Sequence, residues 1–345
     1  HGTAYWFFRN RTLNARDRYA LVNPQDIRKQ FGASLGGKIV PDKLFYFFNY
    51  EGTRRDFPAI NSLSSGMFTA AGTLNSAANP CPNLTLPVAQ QATPAQCKAA
   101  VDMILNRNFQ TISRTATQDI GFGKLDYQLN SKNSISASVS LLRWVSPHGI
   151  QATGVVFNTG SAIGNNADST VRDGYGRVQW TSVITPAAVN ELRFGWFHDR
   201  LYDPASDDFL YPGLGKAGLT VANTSNLGVA TSYPRLNPSE TRFSIADNFS
   251  MTRGAHTMKY GFEFSHVEDF VKQLINQYGS YSYSTLNQFA LDFSGNTSGA
   301  KNWNTYSQTF GNPQVDTNLK NIGLYAQDQW RINSRLLFNY GVRYE

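Results

Sequence analysis

No stretch of about 18 apolar residues occurs in the chain, so it holds no candidate transmembrane helix. Charge is also scarce: Asp, Glu, Lys and Arg make up 16% of the residues, against about 25% in an ordinary soluble domain. Two cysteines in 345 residues exclude a disulfide-dense scaffold and a Cys-rich zinc module. No H-E-x-x-H is present, and the expectation is a protein that is not an enzyme and carries no cofactor. The chain opens at His1 with no initiator Met, basic segment or apolar leader, and stops at Glu345 directly after the strand-like LLFNYGVRYE. Both ends therefore read as cuts. What is abundant is aromatic: 23 Phe and 17 Tyr, far too many for a solvated disordered chain. With Gly at 28 and Ser, Thr and Asn plentiful, the composition is that of a β protein.

Period-two alternation supports this. Ile135, Ala137, Val139 and Leu141 interleave with Ser134, Ser136, Ser138 and Ser140. Met258, Tyr260, Phe262 and Phe264 alternate with Lys259, Gly261, Glu263 and Ser265. Leu336, Phe338, Tyr340, Val342 and Tyr344 alternate with Leu337, Asn339, Gly341 and Arg343. Weaker versions at 2–9, 30–39, 43–52, 119–129, 171–182, 188–199, 240–252 and 319–331 bring the total to about eleven strands of roughly 8–14 residues.

The connections alternate in length. Short turns fall at VPDK (40–43), Asn130-Ser131, TPAA (185–188), Arg253-Gly254 and Asn333-Ser334. Between the pairs lie long loops at 10–28, 53–118, 145–170, 200–239 and 271–318, which hold 12 of the 14 prolines. Compact soluble domains seldom tolerate such loops. Short turns on one side and long loops on the other is the layout of an outer-membrane β-barrel. In hydrocarbon every backbone polar group must be paired internally, so strands span only as a closed barrel, with alternate residues facing lipid and water. Trp144, Trp180, Trp196 and Trp330 lie near strand ends, where an interfacial aromatic girdle would put them. The competing architecture is a large soluble β-sandwich with the apolar stripe packed as a core.

The segment QFGASLGGKIVPDKLFYFFNYEGTRR (30–55) resembles the hairpin that follows the plug in TonB-dependent outer-membrane transporters of the Oar-like, carboxypeptidase-regulatory-domain group. HGTAYWFFRNRTLNAR (1–16) is similar to that family's first barrel strand, and NIGLYAQDQWRINSRLLFNYGVRYE (321–345) to its recurring hairpin. KLDYQLNSKNSISASVS (124–140) and HTMKYGFEFS (256–265) fit its middle hairpins. The resemblance implies an antiparallel transmembrane barrel of 22 strands around an N-terminal plug, energised by TonB–ExbB–ExbD. Residues 1–345 would be a partial barrel domain, roughly its first half, without plug, TonB box, N-terminal domain or closing strands. It implies uptake of a scarce solute, a siderophore, oligosaccharide or peptide, across the cell outer membrane of a Gram-negative-type bacterium. The alternative is a structural or adhesive outer-membrane barrel that transports nothing.

In such an exported protein Cys81 and Cys97 could pair, closing a segment of about 15 residues, worth about 3 kcal/mol in the chain-entropy description; two unpaired thiols is the other reading. AQCKAAVDMILNRNF (95–109) has helical spacing at Cys97, Val101, Ile104 and Leu105. Tyr278, Tyr281, Tyr283, Trp303 and Tyr306 stand beside Asn and Gln in the last long loop. Exposed rings with amides grip solutes by stacking and hydrogen bonding, and packing of the loops on one another explains them equally well. Gly213, Gly215 and Gly218 spell G-x-G-x-x-G, but Pro212 precedes and no helical period follows, so no nucleotide site is expected. His266 with Glu268, and Asp203 with Asp207 and Asp208, are weak metal candidates beside the simpler reading of wetted polar residues. The net charge of +7 is scattered, as at Arg9, Arg11, Arg16, Arg18, Arg54 and Arg55. It suits contact with outer-membrane lipid and anionic lipopolysaccharide, or attraction of anionic solutes, better than a nucleic-acid partner.

Overall fold

In the computed structural model the described residues are 1–16, 23, 25–61, 74–149, 156–157, 162, 164, 166–208, 210–293 and 300–345; Arg18 lies outside them. Eleven strands form one sheet in which each pairs antiparallel with its neighbours in sequence. They are β1 (Gly2–Arg9), β2 (Ile27–Val40), β3 (Leu44–Asp56), β4 (Thr115–Asn130), β5 (Asn133–Ser146) and β6 (Ser169–Thr185). There follow β7 (Ala188–Asp203), β8 (Arg235–Arg253), β9 (His256–Gln273), β10 (Gln314–Arg331) and β11 (Leu337–Tyr344). The short turns gather at one edge and the long connections at the other. Gly254, at φ +59, supplies the left-handed residue that the β8–β9 turn needs.

Every strand expected from the alternation is present, and several are longer on the loop side. β8 runs for 19 residues, about 60 Å at the usual rise per residue, twice the hydrocarbon thickness. The extra length escapes period-two reading for a physical reason: beyond the membrane neither face meets lipid, so nothing enforces alternation.

Register aligns the apolar sets into one face. Val139 lies opposite Gly123 and Gly176, Gly176 opposite Trp196, and Trp196 opposite Phe243. Phe262 is paired with Leu324, and Leu324 with Tyr344. The serine row, Lys259, Glu263 and Arg343 fall on the opposite face. A sandwich would bury the apolar face under a second sheet. Instead Leu141 is 53% exposed and Phe48, Val178, Phe194 and Leu324 are exposed with it. Among the described residues the remaining sheets have three strands each and belong to the loops.

One aromatic position departs from expectation. Trp144 is paired with Gln118 and shares the face of Ser138 and Ser140, so it points to the water side and not to a lipid girdle. Trp180 and Trp330 do sit on the apolar face near the turns, Trp330 stacked on His256 at 5.5 Å. Trp196 is further up, its ring lying against Gly174.

Candidate functional site

The polar face is a network of side chains that satisfy one another. Tyr5 donates to Glu51 at 2.7 Å and Gln30 to the same carboxylate at 2.9 Å. Lys124 pairs with Asp126 at 2.9 Å, and Glu191 accepts from Gln179 at 2.8 Å and from Arg193 at 2.9 Å. Tyr325 crosses Gly261, where a Cβ would collide with its ring, to donate to Asn248 at 2.7 Å. Such a surface is stable only against water or polar protein.

At its loop-side end this face opens into a cavity of about 440 Å³, lined among others by Arg28, Thr53, Arg55, Gln118, Trp144 and Asp173. Arg55 is fixed there by two bonds to Asp26, at 2.8 and 2.7 Å, and by the Phe57 ring 4.5 Å away. The Arg55 guanidinium holds the Asp26 carboxyl below the usual carboxylate range, with Arg9 and Arg28 adding to the effect. Arg114, buried, lies over the same Phe57 ring at 4.6 Å, and burial together with the Arg55 charge pushes it down to about 10. The cavity was legible only in part. Trp144 has the parity of the serine row, which was the available signal, but its partners come from strands far apart in the sequence.

Above the sheet the long loops fold into a single cap with its own core. Helix α1 (Pro94–Asn108) starts with Thr93 as N-cap, Pro94 in its first turn and a reciprocal capping box to Gln96. It buries Cys97, Ala100, Ile104 and Asn108, a face turned slightly from the one expected. Helix α2 (Leu286–Phe293) buries Leu286, Asn287, Phe289 and Ala290 against it. Leu74, Ala162, Leu219, Val221, Leu227 and Tyr211 join this core, so four separate loops share it. Tyr211 donates to Asn108 at 2.6 Å and meets the edge of Phe289 at 5.9 Å. Burial raises the Tyr211 and Tyr283 phenols above their ordinary range. Cys81 and Cys97 are joined by a disulfide, Cα atoms 5.7 Å apart, which ties the 81–97 segment to α1.

Of the five aromatic residues singled out from the sequence, three are brought together. Tyr281 lies 4.6 Å from Tyr306 and 6.0 Å from Trp303, and Lys301 stands over Trp303 at 5.6 Å. Tyr306 and Tyr278 are each 39% exposed at the surface. Tyr283 is different: 3% exposed, it packs on Phe289 and donates to Asp292, so its ring belongs to the cap core and offers no face to a solute.

His266 and Glu268 bond each other at 3.1 Å. Asp203 accepts from Arg235, Asp207 from Lys216 and Asp208 from His148, so the three aspartates serve three different partners. Among the described residues no group of three or more His, Cys, Asp and Glu is placed to hold a metal ion. Gly213 and Gly215 turn the chain at φ +78 and +58, and Gly218 opens a short strand rather than a helix.

A sequential antiparallel meander, apolar on one face and polar on the other, with turns at one edge and a folded cap at the other, defines the wall of an outer-membrane barrel. The model of the family described as "Outer membrane beta barrel domain" matches residues 1–345, and the chain belongs to that family and to the outer membrane. No curated protein matches its sequence. Among solved structures it is similar to the ferric-catecholate import receptor Fiu from E. coli K12 in its open form, at 12% identity and TM-score 0.42, over 95% of this chain and 47% of that one. It is also similar to a mutant of the ferric enterobactin receptor PfeA from Pseudomonas aeruginosa in complex with enterobactin, at 8% identity and TM-score 0.46, over 99% of this chain and 39% of that one. The siderophore receptor PirA from Acinetobacter baumannii matches at 9% identity and TM-score 0.46, over 99% and 38%. The chain thus spans less than half the length of each of these proteins.

Proposed function

We propose that residues 1–345 are the first half of the barrel wall, with its loops, of a TonB-dependent transporter of the Oar-like group. The observation that carries this reading is the polar face leading up to a cavity beneath a folded cap: a water-lined path with a structured entrance. A passive wall needs neither. The exposed rings of Tyr278 and Tyr306, with Tyr281 and Trp303 behind them, supply stacking surface at the rim, and Tyr283 positions them from within the cap core. Arg28, Arg55 and Trp144 would meet a solute on its way into the lumen. Energy would come from TonB–ExbB–ExbD through a plug outside this sequence, and the solute remains one of the siderophore, oligosaccharide or peptide classes.

The test is growth of a deletion strain on a panel of siderophores, oligosaccharides and peptides, each as the scarce nutrient. Impaired growth on one of them, reproduced by removal of TonB, supports transport. Normal growth on all, with lost attachment to surfaces, contradicts it and establishes the adhesive barrel instead.

A further inference from the structure

The lipid-facing side carries a feature that transport does not use. Arg143 on β5 is the direct partner of Arg172 on β6, and Arg172 is the direct partner of Arg200 on β7. Neighbouring strands lie about 4.8 Å apart, so three guanidinium stems emerge within about 10 Å on one face. Like charges set directly opposite destabilise a sheet unless something neutralises them. All three side chains are exposed, and among the described residues none forms a salt bridge, although Arg143 feels the charge of Asp119. The nearest acid in the row, Asp119 opposite Arg143, is held by Arg54 at 2.8 Å and Tyr50 at 2.6 Å. Asp173 and Asp199, adjoining Arg172 and Arg200 in sequence, alternate to the other face and stand opposite each other there.

The height of the row matters as much as its charge. From Asn133 at the turn to Arg143 is the roughly 9–11 residues that a tilted strand needs to cross the hydrocarbon. The row therefore sits at the outer headgroup level. Directly beneath it the same face is hollow. Gly121 and Gly123 leave a furrow on β4 beside Leu141 and Val139: a Cβ at Gly121 would meet nothing within 4 Å, and one at Gly123 only Val139 at 3.9 Å. The depression of about 450 Å³ is lined by Phe48, Gly123, Leu125, Val139, Phe194 and Trp196 among others. Cations above an apolar furrow match an amphiphile with anionic oxygens above acyl chains. A soluble protein partner could reach the arginines but not the furrow.

We propose that this is a binding site for the phosphorylated glycolipid of the outer leaflet, lipopolysaccharide. Its phosphate oxygens sit on Arg143, Arg172 and Arg200, whose forked donors suit phosphate. An acyl chain occupies the furrow of Gly121 and Gly123.

The test uses the detergent-purified protein, with folding checked by heat-modifiability and lipid retention read by native mass spectrometry. The probes are bisphosphorylated lipid A, the same lipid dephosphorylated, and inorganic phosphate. The wild type retains the bisphosphorylated lipid, and the triple variant Arg143→Gln, Arg172→Gln, Arg200→Gln retains it at least tenfold less. If the triple variant fails to fold, Arg172→Gln alone is read in its place and shows at least a threefold loss. Gly123→Leu, which fills the furrow, lowers lipid retention while leaving inorganic phosphate binding unchanged. Equal retention by the wild type and the glutamine variant overturns the proposal. So does equal retention of the dephosphorylated lipid, or inorganic phosphate binding as tightly as the lipid, which would mean a bare anion site.

Discussion

Asn287 on α2 accepts a hydrogen bond of 2.9 Å from the backbone N–H of Ala92, 195 residues earlier in the chain. The same amide accepts from Asn83 N–H at 3.2 Å and donates to Gln90 C=O at 2.9 Å. One fully buried side chain thus pins the second long loop to the last, and these bonds hold the cap together as one body. Asn287→Ala leaves the buried Ala92 N–H unpaired, at about 1–3 kcal/mol, and also frees the less buried Asn83 N–H and Gln90 C=O. The expected outcome is faster proteolysis within the loops while the strands keep their heat-modifiable mobility. Unchanged loop proteolysis would mean that the cap does not depend on this contact.

Lipid and water faces respond differently to charge. Val139→Arg places a cation against hydrocarbon, at about 2–4 kcal/mol near the midplane, and should impair assembly strongly. Ser138→Arg, one residue away on the wet face, should assemble almost normally. Heat-modifiability of the two variants makes the comparison, and equal behaviour would count against the face assignment.

The disulfide is checked by alkylation. Without reductant neither Cys81 nor Cys97 should be labelled, and with reductant both should be. Its loss in a Cys81→Ser, Cys97→Ser variant removes about 3 kcal/mol of loop restraint in the chain-entropy description and should loosen the 81–97 segment. Labelling of both without reductant refutes the pairing.

The Asp26–Arg55 pair sets a pH dependence. Asp26 has a lowered folded pKa, so its contribution is fully present above the ordinary carboxylate range, near 3.8, and is lost as pH falls through the lower folded value. Acidification below about pH 4 should open the loop-side cavity, read as a change in the emission of Trp144, which lines it. Asp26→Asn should abolish that acid transition. An unaltered transition would assign it to another group.

The wall was legible because lipid on one side and water on the other impose a two-residue period that local sequence must display. Val139 and Ser138 could be assigned to faces from their neighbours alone. The cap was not legible in this way. Tyr281, Tyr283 and Trp303 all read as aromatic loop residues, yet burial of Tyr283 depends on Phe289 and Tyr211, which nothing local announces. The arginine row was hidden for the same reason: Arg143, Arg172 and Arg200 lie far apart in sequence and become neighbours only through strand register.

The most direct measurement is single-cysteine accessibility along Met258–Ser265 in the assembled protein. Cysteines replacing Lys259, Gly261, Glu263 and Ser265 should react with a small water-soluble maleimide. Those replacing Met258, Tyr260, Phe262 and Phe264 should resist it and be quenched, when spin-labelled, by a lipid-dissolved agent. If the apolar set proves sealed from lipid as well as from water, the strand is packed inside a protein core and the barrel wall is contradicted.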